Sequence, residues 1–245
     1  MTPRLDINAL VGEGIRTIRG SYILLVPSMS AIVMSFITYM VLFSALDPEL
    51  FKDLEKFAFS KEAQQRALIG AAAFSVLTVF AMGVTTAMAR NLMETGRTSL
   101  DVARSFIMIR PSALLAVSLI IGLSIIIGFT VVLLPGILAA FMFMFSMPAL
   151  VMGPGEPLSA VIKGLRVVTE NLRDSFFLFV SIASMYFLLN IILLMLVFIP
   201  VIGVLAAFVL TSAFMSATSI VTLRAYIIFT AEKQPNAAGW PPPKR

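Results

Sequence analysis

Charged residues are absent from four stretches of the chain, 20–46, 67–89, 111–155 and 175–223, which are 27, 23, 45 and 49 residues long. An α-helix needs about 20 predominantly apolar residues to cross the hydrocarbon of a bilayer. The two shorter stretches therefore hold one crossing each, and the two longer ones must fold back on themselves. Each long stretch carries a proline turn near its middle, "LLPG" at Pro135 and "FIPVIG" at Pro200. The expected architecture is an all-α, polytopic membrane protein, one domain over 1–232 with six transmembrane helices near 21–45, 66–89, 111–134, 136–152, 175–199 and 201–223. The tail "KQPNAAGWPPPKR", with Pro241 to Pro243, favours polyproline II geometry and reads as a flexible cytoplasmic end, 233–245. Composition agrees. Only 13% of the residues are charged, against about 25% in soluble domains. The first apolar run far exceeds the roughly 7–15 residues of a signal-peptide core, so it is read as part of the mature protein.

Orientation follows from lysine and arginine, which are retained in cytoplasmic loops. With both termini inside, the cytoplasmic segments hold 14 basic and 8 acidic residues, and the outer segments 4 basic and 5 acidic. That bias predicts a multi-pass protein of the cell (inner) membrane with cytoplasmic N and C termini. The formal net charge of +5 then belongs to the inner face, where a basic surface meets anionic headgroups. No nucleic-acid partner is needed to explain it.

Three junctions share the pattern Arg-x-Ser-x-x-Leu-x-Val: "RGSYILLV" from Arg19, "RPSALLAV" from Arg110 and "RDSFFLFV" from Arg173. In this topology each opens an outward-going span. Arg19, Arg110 and Arg173 are expected to anchor the interface by snorkelling to lipid phosphate. Ser21, Ser112 and Ser175 are expected to satisfy an amide at a helix start. Before the first junction, Ile7, Leu10, Val11, Gly14, Ile15 and Ile18 share a face opposite Asp6, Glu13, Arg16 and Arg19. Before the third, Leu158, Val161, Ile162, Leu165, Val168 and Leu172 form the stripe, with Lys163, Arg166, Thr169 and Glu170 turned away. The middle copy is shorter, with Leu100, Ala103, Phe106 and Ile107 against Asp101 and Arg104. Such spacing marks amphipathic helices, which lie in the interface beside a membrane.

The strings "LPGILAAF" and "IPVIGVLAAF" share a proline turn and Leu-Ala-Ala-Phe. The unit is interfacial helix, span out, tight turn, span in. Three such units in parallel orientation make an internal repeat of the kind transporter folds carry. The first unit differs by a longer outer loop, Leu46 to Gln65, in which Leu50, Phe51, Leu54, Phe57 and Ala58 suggest a short surface helix.

The segment from about Leu133 to Glu232 resembles the six-helix membrane domain of YciC-like proteins, a domain also fused to some glycerophosphoryl diester phosphodiesterases. The likeness is carried by "LLPGILAAFMFMFSMPALVM", "PLSAVIKGLRVVTENLRDSFF" and "FIPVIGVLAAFVLTSAFMSATSIVTLRAY". The family commonly places a serine after the basic pair of that middle helix, where this chain has Gly164 nearby. The resemblance implies a membrane domain without an agreed activity of its own, at times an anchor for a soluble enzyme. The phosphodiesterase chemistry does not come with it.

Chemistry is sparse. The chain has no histidine and no cysteine, which removes the commonest general base, the commonest metal ligand and the thiol nucleophile. No carboxylate falls within a span, and no phosphate-cradling glycine loop is present. Asp47, Glu49, Asp53 and Glu55 alternate with Lys52 and Lys56 and read as solvated surface. No catalytic, cofactor-binding or metal residue is assigned, no cofactor is implied, and the chain is not expected to be an enzyme. Asn190 stands out as a polar contact within the membrane, read as a hydrogen bond to a neighbouring helix rather than a pathway lining. Small residues on the second span (Gly70, Ala71, Ala72, Gly83, Thr86, Ala87) and on the last (Thr211, Ser212, Ala213, Ser216, Ala217, Ser219) favour close helix approach. Met142, Phe143, Met144, Phe145 and Met147 either fill the bundle or line a soft apolar groove.

Two functions follow. The first is a non-enzymatic integral membrane scaffold or accessory subunit, with membrane lipids and a membrane or cytoplasmic protein as partners. The second is a permease or lipid-handling transporter for a neutral or amphipathic compound.

Overall fold

The computed structural model describes residues 6–44, 46, 60–196, 198–199 and 202–231. In chain order the helices are α1 (Ile7–Gly20), a 3-10 turn (Tyr22–Leu25), α2 (Val26–Ser44), α3 (Lys61–Thr95), α4 (Leu100–Ile109) and α5 (Pro111–Val131). There follow α6 (Leu133–Met142), α7 (Ser146–Met152), α8 (Pro157–Glu170), α9 (Leu172–Leu196) and α10 (Ile202–Ala231). Six segments are long and apolar enough to cross a bilayer: the 3-10 turn with α2, α3, α5, α6 with α7, α9, and α10. The chain is an all-helical, multi-pass membrane protein. The short helices α1, α4 and α8 precede the first, third and fifth crossings, so all three lie at one end of the bundle. The expected outer helix over Leu50 to Ala58, the acidic group Asp47 to Glu55, the turn at Pro200 and the tail lie outside the described residues.

Two crossings run well past the expected limits, because charge does not end a helix whose ions find partners. α3 begins at Lys61 and continues to Thr95. Its Arg66 donates to the carbonyl of Leu42 at 2.6 Å and pairs with Glu62 at 2.6 Å, while Arg90 pairs with Glu94 at 2.7 Å. α10 continues to Ala231, and its Arg224 pairs with Glu13 of α1 at 2.5 Å.

That pair fixes where α1 goes. Leu10, Gly14 and Ile18 are buried, and Gly14 faces Val221 and the carbonyl of Ala217 on α10. Much of the amphipathic face is thus covered by the protein's own last span instead of lipid. In α8 the buried residues are Ala160, Val161, Gly164, Val167 and Val168. Leu158 and Ile162 of the expected stripe stand outside that buried face, 66% and 48% exposed. The buried face is turned toward the small residues because close backbone approach decides it. A Cβ at Gly164 would lie 2.7 Å from both N and Cα of Ser146 on α7.

The junctions before three crossings are single-residue bends, at Ser21 (φ −153°, ψ 80°), Arg110 (φ −135°, ψ 47°) and Asn171 (φ −124°, ψ 42°). Seven residues beyond each bend stands a fully buried side chain: Ser28, Val117 and Leu178, all 0% exposed. The bends do not share a register with the Arg-x-Ser string. They fall on the serine, on the arginine and two residues before the arginine. Bend matching pairs buried Leu114, not exposed Ser112, with buried Ser175. The four matched letters mark the boundary region without marking equivalent positions.

At the opposite end Val132 alone joins α5 to α6. Pro135 sits in the first turn of α6, where a missing N–H costs no helical bond. Gly128 and Gly136 let the two helices touch backbone to backbone, since a Cβ at Gly128 would lie 2.6 Å from Cα and N of Gly136. Small polar residues join the first and last crossings. The Ser28 and Ser216 hydroxyls are 3.1 Å apart and Ser216 donates to the carbonyl of Leu24 at 3.0 Å.

Candidate functional site

The fourth crossing is broken. Pro148 has no N–H to donate to the carbonyl of Met144, and its ring clashes with a helical carbonyl there. The backbone turns at Phe143 (φ −92°, ψ 3°) and Phe145 (φ −98°, ψ 1°), separating α6 from α7. Bonds of the i to i+3 type close the gap, from Met144 N–H to Phe141 at 3.4 Å and from Ser146 N–H to Phe143 at 3.0 Å. Irregular backbone at membrane depth persists only where protein buries it or it lines a water-filled cavity. Here protein buries it, with Phe145 and Ser146 fully buried.

The two halves of the crossing differ. Ser146 to Val151 of α7 are all buried, whereas in α6 only Gly136 and Phe141 are. Two arginines hold the far end of α7. Arg90 donates to the carbonyl of Val151 at 2.7 Å, and Arg110 donates to the carbonyls of Leu150 at 3.2 Å and Gly153 at 2.8 Å. These carbonyls belong to a helix C-terminus, where orphan acceptors and the helix dipole both favour a cation. α6 meets α9 through the ring of Phe141, 5.4 Å from that of Phe179 and 6.2 Å from that of Phe176.

Against the break lies a cavity of about 200 Å³. Its walls come from five crossings: Val79, Met82 and Thr86 of α3, Ile121 and Ile125 of α5, Phe143, Met144, Met147 and Pro148 at the break, Phe179 and Ile182 of α9, and Thr218 and Thr222 of α10. No charged residue lines it. Thr86 donates its hydroxyl proton to the carbonyl of Met82 at 2.7 Å, and Thr222 donates to the carbonyl of Thr218 at 2.8 Å. Those hydroxyls satisfy themselves on their own helices, so the cavity presents little but hydrocarbon and thioether. An apolar space of this size accommodates an apolar group of comparable volume without stranding a buried polar group.

Of the methionine and phenylalanine run read as bundle filling or as groove lining, Phe143, Met144 and Met147 stand on the wall. Phe145 is fully buried elsewhere, edge-on to Phe229 at 5.7 Å, and Met142 packs at the margin of the core. The interface anchors separate in the same way. Arg19 and Arg173 are exposed, while Arg110 folds back onto α7. No serine hydroxyl caps the starts at Ser21 or Arg110, and the Ser175 hydroxyl is buried without a partner. Asn190 does not reach a neighbouring helix. Its amide donates to the carbonyl of Tyr186 at 2.7 Å, four residues back in α9, which satisfies the group locally and leaves the side chain exposed.

The sequence reading marks part of the wall, at Phe143, Met144 and Met147, but neither the break beside it nor the arginines that hold α7. Pro148, inside an apolar run, carried the signal for the break; Arg90 and Arg110 carried none for their shared target. Comparison of the chain with protein-family models, with curated proteins and with solved structures found no match. The likeness to the YciC-like membrane domain rests on its motifs alone.

Proposed function

We propose that this chain is a non-enzymatic membrane protein that takes a neutral, largely apolar compound into the bundle at the broken fourth crossing. The carrying observation is the uncharged cavity beside Phe143 to Pro148, walled by five crossings. Binding sites of membrane carriers are typically built at discontinuous helices near the middle of the bilayer. Three units of short helix and hairpin support the same reading, with bends at Ser21, Arg110 and Asn171 as their equivalent points. The scaffold reading draws on α9, where only Ser175, Leu178 and Leu189 are buried. Lipid covers such a face as readily as a partner does, so it ranks second.

The test is binding of a neutral, environment-sensitive fluorescent monoacylglycerol to the protein in nanodiscs. Saturable binding near one per chain is expected, weakened at least tenfold by Thr218→Phe, which fills the cavity, with Ala140→Phe, also on the wall in α6, as the second filling variant. Unsaturable partitioning, equal in all three proteins, overturns the reading. Retention of a stoichiometric partner protein without probe binding favours the scaffold.

Orientation belongs to the same proposal. The end bearing α1, α4 and α8 faces the cytoplasm, the orientation that the distribution of basic residues favours. Since the chain has no cysteine, Ser60→Cys is expected to react with an impermeant maleimide from outside and Ala237→Cys only after permeabilisation. Labelling of both from one side refutes it.

A further inference from the structure

A second concavity, separate from the broken crossing, lies between α2, α3 and α4. We infer that this groove seats an acyl chain of an anionic phospholipid, with Arg104 over its mouth for the headgroup. The space is about 300 Å³, walled by Val26, Pro27, Met34, Phe80, Val84 and Ile107 among others. Its one wall hydroxyl, Ser30, donates to the carbonyl of Val26 at 2.9 Å and makes no demand on an occupant. From Val26 to Met34 the wall on α2 runs about 12 Å along the helix. Met34 and Leu100 are 53% and 49% exposed at its edge, an apolar rim suited to a hydrocarbon chain and unsuited to water.

Charge selects the headgroup. On α4, Leu100, Ala103 and Ile107 line the groove. Arg104 stands four residues after Leu100 and three before Ile107, so its stem shares their edge. It is exposed and makes no salt bridge among the described residues, although Asp101 lies one turn back. Arg97 is exposed at the same end of the bundle. An arginine rising from an apolar edge places its stem on hydrocarbon and its guanidinium at the phosphate level.

The experiment is native mass spectrometry of the full chain in a mild nonionic detergent, offered dioleoylphosphatidylglycerol and dioleoylphosphatidylcholine at equal mole fraction. One tightly retained phosphatidylglycerol per chain is expected. Ser30→Phe fills the groove from an exposed position and is expected to reduce retention at least tenfold, with Met34→Trp as the second filling variant. Arg104→Gln is expected to abolish the preference for phosphatidylglycerol, and Arg173→Gln to leave it intact. Unchanged retention in both filling variants overturns the site. Equal loss from Arg104→Gln and Arg173→Gln also overturns it, since a diffuse basic rim then explains the preference.

Discussion

Gly164→Leu is expected to yield no monodisperse folded protein. α8 crosses α7 at this residue with so little separation that a Cβ alone would stand 2.7 Å from N and Cα of Ser146 and 2.8 Å from its hydroxyl oxygen. The obstacle is backbone, so no rotamer change relieves it. Gly164→Ala sets two effects against each other. Helix propensity favours alanine by about 1 kcal/mol, and the overpacked crossing costs about 1–3 kcal/mol, occasionally more. The collision wins, and a lower melting temperature in detergent is expected for alanine. Gly20→Ala is the control, because nothing lies within 4 Å of the added atom. A Gly164→Ala protein that melts no lower than Gly20→Ala overturns this account of the α7–α8 contact.

Gly128→Leu is expected to be nearly as damaging, for a different reason. Here the added atom would meet Cα and N of Gly136 at 2.6 Å and the carbonyl carbon of Pro135 at 2.9 Å. Helix association in a bilayer depends on such close van der Waals packing, since burial from lipid contributes little. Splaying α5 from α6 also moves Ile121, Ile125 and Phe143 on the cavity wall. The two glycines are not equivalent. The atoms nearest a Cβ at Gly136 are Cγ, Cδ1 and Cδ2 of Phe129, at 2.5 to 2.8 Å; they belong to a side chain that is 42% exposed, which a change of χ1 can swing aside. Size-exclusion profiles of Gly128→Leu and Gly136→Ala therefore differ, with the first aggregated and the second largely intact. The reverse order refutes the backbone contact.

What the sequence determined by itself is the number of crossings, their order and the end at which the short helices gather. Hydrocarbon offers no partner to a backbone amide, so an uncharged run of sufficient length has the helix as its stable form. That is a property of the run alone, legible in the spacing of charges from Arg19 to Arg224. Where a helix stops is less legible, as α3 and α10 show, because Arg66, Arg90 and Arg224 found partners on other elements. Proline is ambiguous for the same reason. Pro135 opens a helix after a hairpin turn while Pro148, in the same uncharged stretch, breaks one. Only the tertiary structure decided which face of α8 is buried, that Arg110 serves the end of α7 instead of the lipid, and that five crossings wall a cavity at the break. Those outcomes depend on the distance between two backbones and on which carbonyls a neighbour leaves unpaired. Partition into a membrane depends on each residue's own chemistry, whereas the choice of face depends on the shape of what it meets.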